Sequence, residues 1–363
     1  MSVPHFNVAQ AKHTVKLDRG IPAAMGAAVL FGVSTPLAKP LLGDMPPLLL
    51  AGLLYMGSGI GLSVLLGIRV ATGGRGAITW PRGADVGWLA GAIAAGGAVG
   101  PYLLMVGLQA TDAASASLIL NLEGVFTALL AWFAFKENFD RRIALGMAFI
   151  VAGGVALSAA PALRAEGWAG PLAIAGACLA WAIDNNLTRK VSLHDAMFIA
   201  CVKGLVAGIA SVALALAYGA RMPAVTATLQ AGLLGFFSYG LSLALFVVAL
   251  RRLGTARTGA YFSLAPFVGA ALAVVLGAPL TATLVVAGLL MAVGVWLHLT
   301  ERHEHLHHHL PVEHAHLHTH DAHHQHRHDA AWDGSDPHTH RHAHEPLDHA
   351  HPHYPDAHHR HPH

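Results

Sequence analysis

Apolar runs of about 18–24 residues, parted by short polar breaks, follow one another along the first three hundred positions of this chain. An α-helix of that length crosses the ~30 Å hydrocarbon core of a bilayer at about 1.5 Å per residue. A membrane β-barrel needs instead strands of about 10 residues with alternating polarity, and no apolar stretch has that pattern. Only 12% of the residues are charged, the mean hydropathy is +0.51 and 54% are hydrophobic, whereas soluble domains carry about 25% charge. The chain reads as an all-α integral membrane protein of ten transmembrane helices. Their expected limits are 21–39, 47–67, 84–107, 113–134, 142–160, 168–188, 195–218, 228–250, 257–277 and 281–299.

Loop charges set the expected orientation. Lys12, Lys16, Arg19, Arg69, Arg75, Arg82, Lys136, Arg141, Arg142, Arg189, Lys190, Arg251, Arg252, Arg257 and Arg302 fall on one side; Arg164 and Arg221 fall on the other, with Lys39 at a span end. Basic loops stay on the cytoplasmic face, so both termini are expected there, in the inner membrane of a bacterium. No small-residue cleavage site follows the basic segment 1–20, so the first span is expected to be retained. A net charge of +2 makes no case for nucleic acid; the lipid bilayer is the expected partner. Cys178 and Cys201 lie inside apolar runs without metal or disulfide spacing and read as small buried hydrophobes.

The two halves repeat. Gly26-Ala27-Ala28-Val29-Leu30-Phe31-Gly32-Val33 aligns without a gap on Gly176-Ala177-Cys178-Leu179-Ala180-Trp181-Ala182-Ile183, and Leu122-Glu123-Gly124-Val125-Phe126 falls on Leu264-Ala265-Pro266-Phe267-Val268. Each unit, 21–160 and 161–300, has an odd number of spans, so the second must enter the membrane inverted. Inverted repeats are characteristic of secondary transporters. In the third span Ala90, Gly91, Ala94, Ala95, Gly96, Gly97, Ala98 and Gly100 cluster, as close helix packing in lipid requires. Pro101 and Pro266 stand inside spans and read as kinks or as gating positions.

These repeat residues, with Phe31-Gly32, Lys39, the run Ala114-Ser115-Ala116-Ser117 and the closing Lys136-Glu137, resemble the drug/metabolite transporter superfamily, in particular its ten-span members built from two EamA repeats. Gly124 and Ala265 depart from that pattern, which commonly has Glu-Pro at both places. The resemblance covers roughly 21–299 and implies secondary active transport, often export, of small solutes in the cytoplasmic membrane. It does not single out the solute.

Ionisable side chains within a bilayer face the protein interior and are functional candidates. Lys39 sits at a span end, from which its ammonium can reach the interface. Glu123 lies near the middle of span four and needs a partner, a proton or a substrate; it is the expected carrier of a coupling proton, or else bonds neighbouring helices. Asp184-Asn185-Asn186 lies just inside the cytoplasmic end of span six, opposite Ser34-Thr35-Pro36 in the repeat register, and is the expected entry site for the solute. Lys203 stands at similar depth in span seven, so Asp184 and Lys203 form either a neutralising pair or a substrate and coupling-ion site. No histidine occupies the middle of a span, and neither a metalloprotease pattern nor a nucleophile with a base is present there, so no enzymatic activity is expected.

Residues 301–363 carry 24 of the 28 histidines. With few bulky apolar residues they are expected to be disordered. His314, His316, His318 and His320, then His338, His340, His342 and His344, then His349, His351 and His353 alternate with other residues. Neutral imidazole suits nickel, cobalt and zinc, so the tail is expected to bind such ions; no cofactor is required. The leading expectation is a proton-coupled exporter of divalent nickel or cobalt, with zinc next, its tail collecting ions at the cytoplasmic mouth. Two alternatives stay open: an exporter of a small organic metabolite or amino acid with the tail as a metal buffer or sensor, and a membrane metal store without transport. The oligomeric state is open, a homodimer included.

Overall fold

A computed structural model describes residues 20–72, 81–135, 141–158, 167–191 and 194–299, and, in the tail, 304–309, 312–318, 338–344 and 347–352. Before the tail the described chain is helical: α1 Gly20–Gly32, α2 Ser34–Leu41, α3 Pro47–Ala71, α4 Ala84–Ala92, α5 Gly100–Gln109, α6 Ala113–Ile119, α7 Leu122–Phe135, α8 Arg141–Ser158, α9 Ala169–Val191, α10 Ala196–Ala217, α11 Val225–Gly235, α12 Ser242–Phe262, α13 Ala265–Val275 and α14 Ala282–Leu299. Two π-helical turns, π1 Ile93–Val99 and π2 Phe236–Leu241, join α4 to α5 and α11 to α12. Among the described residues six stretches are long and apolar enough to cross a membrane, and Ala144–Leu157, Ala265–Val275 and Ala282–Leu297 are shorter apolar helices. All ten apolar runs fall on these helices. Residues 251–256, expected as a connection, are instead helical within α12; that segment contains no proline to stop a helix.

Packing follows a two-fold exchange of the halves. α3 packs along α10, α8 along α14 and α6 on α13, each pair joining corresponding spans; α1 packs on α12 as α9 does on α5, and α1 on α13 as α9 does on α7. Glycine makes the central crossing possible. A Cβ at Gly59 would stand 2.5 Å from the Leu205 nitrogen, and one at Gly204 2.5 Å from the Gly59 nitrogen, so α3 and α10 meet backbone to backbone. In lipid such close packing substitutes for the missing hydrophobic drive.

Breaks in the helices have local causes. Pro266 stands in the first turn of α13, where the absent N–H has no intrahelical partner to lose. Pro101 stands just past π1 within the continuous helical stretch Ala84–Gln109, so its missing N–H leaves a carbonyl of π1 without a backbone donor. Lys39 reaches the end of span three. Its ammonium donates to the carbonyls of Leu108 at 2.6 Å and Thr111 at 2.8 Å, satisfying groups left over at the end of α5. Lys39→Met is therefore expected to lower stability by about 1–3 kcal/mol, seen as a lower midpoint of thermal unfolding in detergent.

At the end where the basic loops gather, Arg69 pairs with Asp195 at 2.8 Å, His194 meets Asp85 at 2.9 Å, and Arg251 donates to the His194 carbonyl. Spans two, three and eight are thereby tied to the connection before α10. Cys178 and Cys201 are free and buried.

The described tail backbone forms four strands, β1 Glu304–His309, β2 Val312–His318, β3 His338–His344 and β4 Leu347–Pro352, with β1 antiparallel to β4 and β2 to β3. Strand pairing of this kind satisfies backbone groups where no apolar core is available. His320 and His353 lie outside the described residues, as do Lys136 and Glu137.

Candidate functional site

The two π turns occupy corresponding places. The register that sets Glu123 on Ala265 also sets Gly96 on Ser238, so π1 in span three lies over π2 in span eight. A π turn widens the helix and releases a carbonyl from its usual bond, and such turns recur at functional sites. In π1 the Gly96 carbonyl accepts from the Tyr55 hydroxyl at 2.6 Å and from Trp181 Nε1 at 3.0 Å. Those bonds fix two of the rings that line a cavity at the centre of the bundle.

That cavity offers about 50 Å³ to the centres of water-sized molecules, several times the ~10–15 Å³ that one water needs. Its walls include the rings of Phe31, Tyr55, Trp181, Tyr239, Phe246 and Phe262. The rings support one another: Phe31 meets Trp181 edge-on with centroids 5.5 Å apart, Tyr239 at 5.7 Å and Phe262 at 5.3 Å, while Tyr55 and Tyr239 are 5.3 Å apart. Aromatic pairs at such distances hold one another in place.

One side of the cavity carries the two acids Glu123 and Asp184 together with the amide of Asn185. Glu123 lies in the first turn of α7, just past the break at Leu120-Asn121, where a helix N-terminus favours negative charge. Its Oε1 accepts from Asn185 Nδ2 at 2.7 Å. Asp184 is held differently. Lys203, wholly buried, donates to Asp184 Oδ1 at 2.5 Å and Oδ2 at 2.7 Å, and Thr188 donates to Oδ1 at 2.8 Å. Asp184 and Lys203 thus form a neutral buried pair, and Glu123 is left as the acidic group of the lining without a cationic partner among the described contacts. Asn186 turns away and donates to the Ala182 carbonyl of its own helix.

Packing holds the pair in place. A Cβ on Gly96 would lie 1.9 Å from Asp184 Oδ2, far inside contact distance. Gly96→Ala is expected to push Asp184 off Lys203 and cost about 1–3 kcal/mol through overpacking, measured as a drop in thermal midpoint.

Of the residues singled out from sequence, Glu123, Asp184 and Asn185 share this cavity and Lys203 backs it; Asn186 stands apart. The six rings and Ser238 were not singled out. One signal was available, since Phe31 and Trp181 coincide in the repeat register. For the tail histidines only backbone positions are described.

The EamA-like transporter family matches residues 18–159 and again 168–300. The chain belongs to the EamA-like transporter family. An uncharacterized transporter of Methanothermobacter thermautotrophicus is 28% identical over 292 residues, covering 77% of this chain and 85% of that protein. A crystal structure at 20% identity superposes with a TM-score of 0.58 over 76% of this chain and 95% of that one. That likeness concerns the fold. An EamA-type transporter of two repeats in a membrane, acting with the bilayer and a small solute, accounts for the helices, the pseudo-two-fold and the central cavity together.

Proposed function

We propose that this EamA-type transporter is a secondary exporter whose cavity takes a small organic solute bearing a cationic nitrogen. The observation that carries this reading is a carboxylate, Glu123, in a cavity lined by six aromatic rings. Ring faces attract cations by about 0.5–2 kcal/mol, most strongly where water is excluded, and a carboxylate supplies the countercharge. Glu123 also serves as the coupling site: it releases its solute on taking a proton and takes the next solute on losing it. The pairing of Asp184 with Lys203 leaves this exchange to a single acid. Both termini face the cytoplasm of the host's inner membrane, where loading would occur.

A divalent nickel, cobalt or zinc ion is the second reading, favoured by the 24 tail histidines. Among the described residues no group of three His, Cys, Asp or Glu side chains is placed to hold a metal, so this reading rests on the tail. In the first reading the tail is a metal buffer or sensor. Calorimetry on purified protein in detergent separates the two. Tetramethylammonium is expected to bind the full chain, and a form ending at residue 302, with equal affinity; Ni²⁺ is expected to bind only the full chain. Loss of tetramethylammonium binding on removing the tail, or none in either form, contradicts the cavity reading.

A further inference from the structure

Within the stretch Ala84–Gln109 only Pro101 brings no backbone N–H to the helix. The bond just before it shows which carbonyl goes without. The Gly100 N–H, closing π1, donates to the Ala95 carbonyl, five residues back. The next N–H of that series would come from position 101 and reach Gly96. Proline supplies none. The Gly96 carbonyl is the one that accepts from the Tyr55 hydroxyl at 2.6 Å and from Trp181 Nε1 at 3.0 Å.

The second π turn provides a comparison inside the same molecule. The repeat register sets Leu243 on Pro101 and Ser242 on Gly100, and the Ser242 N–H donates to the Phe237 carbonyl, again five residues back. Leu243 carries the N–H that Pro101 lacks. Among the described contacts no side chain donates to the Ser238 carbonyl, the counterpart of Gly96. A π turn alone therefore does not draw rings onto its backbone; the proline distinguishes the turn that does. Glycine supplies the room. A Cβ at Gly100 would stand 2.8 Å from Trp181 Nε1, so the indole edge lies close against the bare backbone.

We propose that Pro101 is a positioning residue for the solute: by withholding an N–H it leaves the Gly96 carbonyl to Tyr55 and Trp181, and those bonds aim both rings into the cavity. This rests on the cavity reading above. Tyr55 and Trp181 belong to the cavity wall and Pro101 does not, so the proline acts through the rings. A carbonyl oxygen has two lone pairs, and both are taken here. A backbone donor from position 101 would displace one ring. The longer bond, that of Trp181, gives way first.

The test compares Pro101→Ala with an ester variant, in which lactic acid at position 101 gives alanine's side chain and again no N–H. Both are full-length proteins in detergent. NMR of ¹⁵N-tryptophan protein follows the Trp181 indole N–H, its signal identified by its loss in Trp181→Phe, and calorimetry follows tetramethylammonium. Pro101→Ala is expected to move the indole proton upfield and to weaken binding at least about fivefold, the size of one ring's attraction for a cation. The ester variant is expected to keep the wild-type signal and affinity. An unmoved signal or an unchanged affinity in Pro101→Ala overturns the proposal. An ester variant that behaves like Pro101→Ala overturns it too, because the pyrrolidine ring and not the missing N–H would then matter. Absence of tetramethylammonium binding in wild type contradicts the cavity reading itself, and the positioning role falls with it.

Discussion

Proteoliposomes containing Glu123→Gln are expected to transport the organic cation at least about a hundredfold more slowly than wild type, with the protein present at equal level and folded. Glutamine keeps the shape and can still meet Asn185, whose amide now donates to a neutral oxygen instead of Glu123 Oε1 at 2.7 Å. What is lost is the charge. Separating a buried cation from its counterion costs about 3–5 kcal/mol, and each 1.4 kcal/mol is tenfold in affinity. Glu123→Asp keeps the charge on a side chain one methylene shorter, so weaker binding with coupling retained is the expected outcome. Equal transport by wild type and Glu123→Gln would remove Glu123 from the mechanism. The helix break at Leu120-Asn121 would then be its structural context only.

Lys203→Met is the second large effect, and it concerns stability first. The lysine is fully buried and holds both oxygens of Asp184. Removing it strands a carboxylate beside Tyr55 and Trp181, at a cost of about 3–5 kcal/mol. Asp184→Asn strands the ammonium at a similar cost. Replacing both together removes both buried charges, so Asp184→Asn/Lys203→Met is expected to recover most of the loss, since buried ion pairs contribute little net stability over neutral side chains. Thermal unfolding of the four proteins in detergent measures this. A double variant as unstable as the sum of its singles would mean that each residue acts through other contacts. The recovered double variant is also expected to bind tetramethylammonium, which Glu123→Gln does not.

Much of the fold was legible because the bilayer imposes one length and one polarity on each span. Hydrophobic runs, the positive-inside bias and the gapless repeat from Gly26 onward suffice for the helices and their inverted pairing. The closeness of Asp184 and Lys203 followed from depth alone, since residues at equal rise on adjoining helices stand at one level. Other features depend on three dimensions. Asn186 was grouped with Asp184 and Asn185 by adjacency, yet each helical step rotates a side chain by about 100°, and the third residue points back into its own helix. The ring cluster is drawn from α1, α3, α9, π2 and α12, so no local window contains it. π1 and π2 leave no periodic signature in sequence. Lys39 was read from its place near an interface, but the open carbonyls at Leu108 and Thr111 are about seventy residues away.

Proton flux driven by the solute tests the role of the cavity most directly. Sealed proteoliposomes holding an internal pH dye would be exposed to a gradient of tetramethylammonium, a permanent cation that cannot cross lipid as a free base, or of Ni²⁺. With wild-type protein the tetramethylammonium gradient is expected to drive protons in the opposite direction, with no flux in Glu123→Gln and none driven by Ni²⁺ in either. Proton movement driven by Ni²⁺ alone, or an equal tetramethylammonium response in wild type and Glu123→Gln, would contradict an organic-cation exchanger built on Glu123.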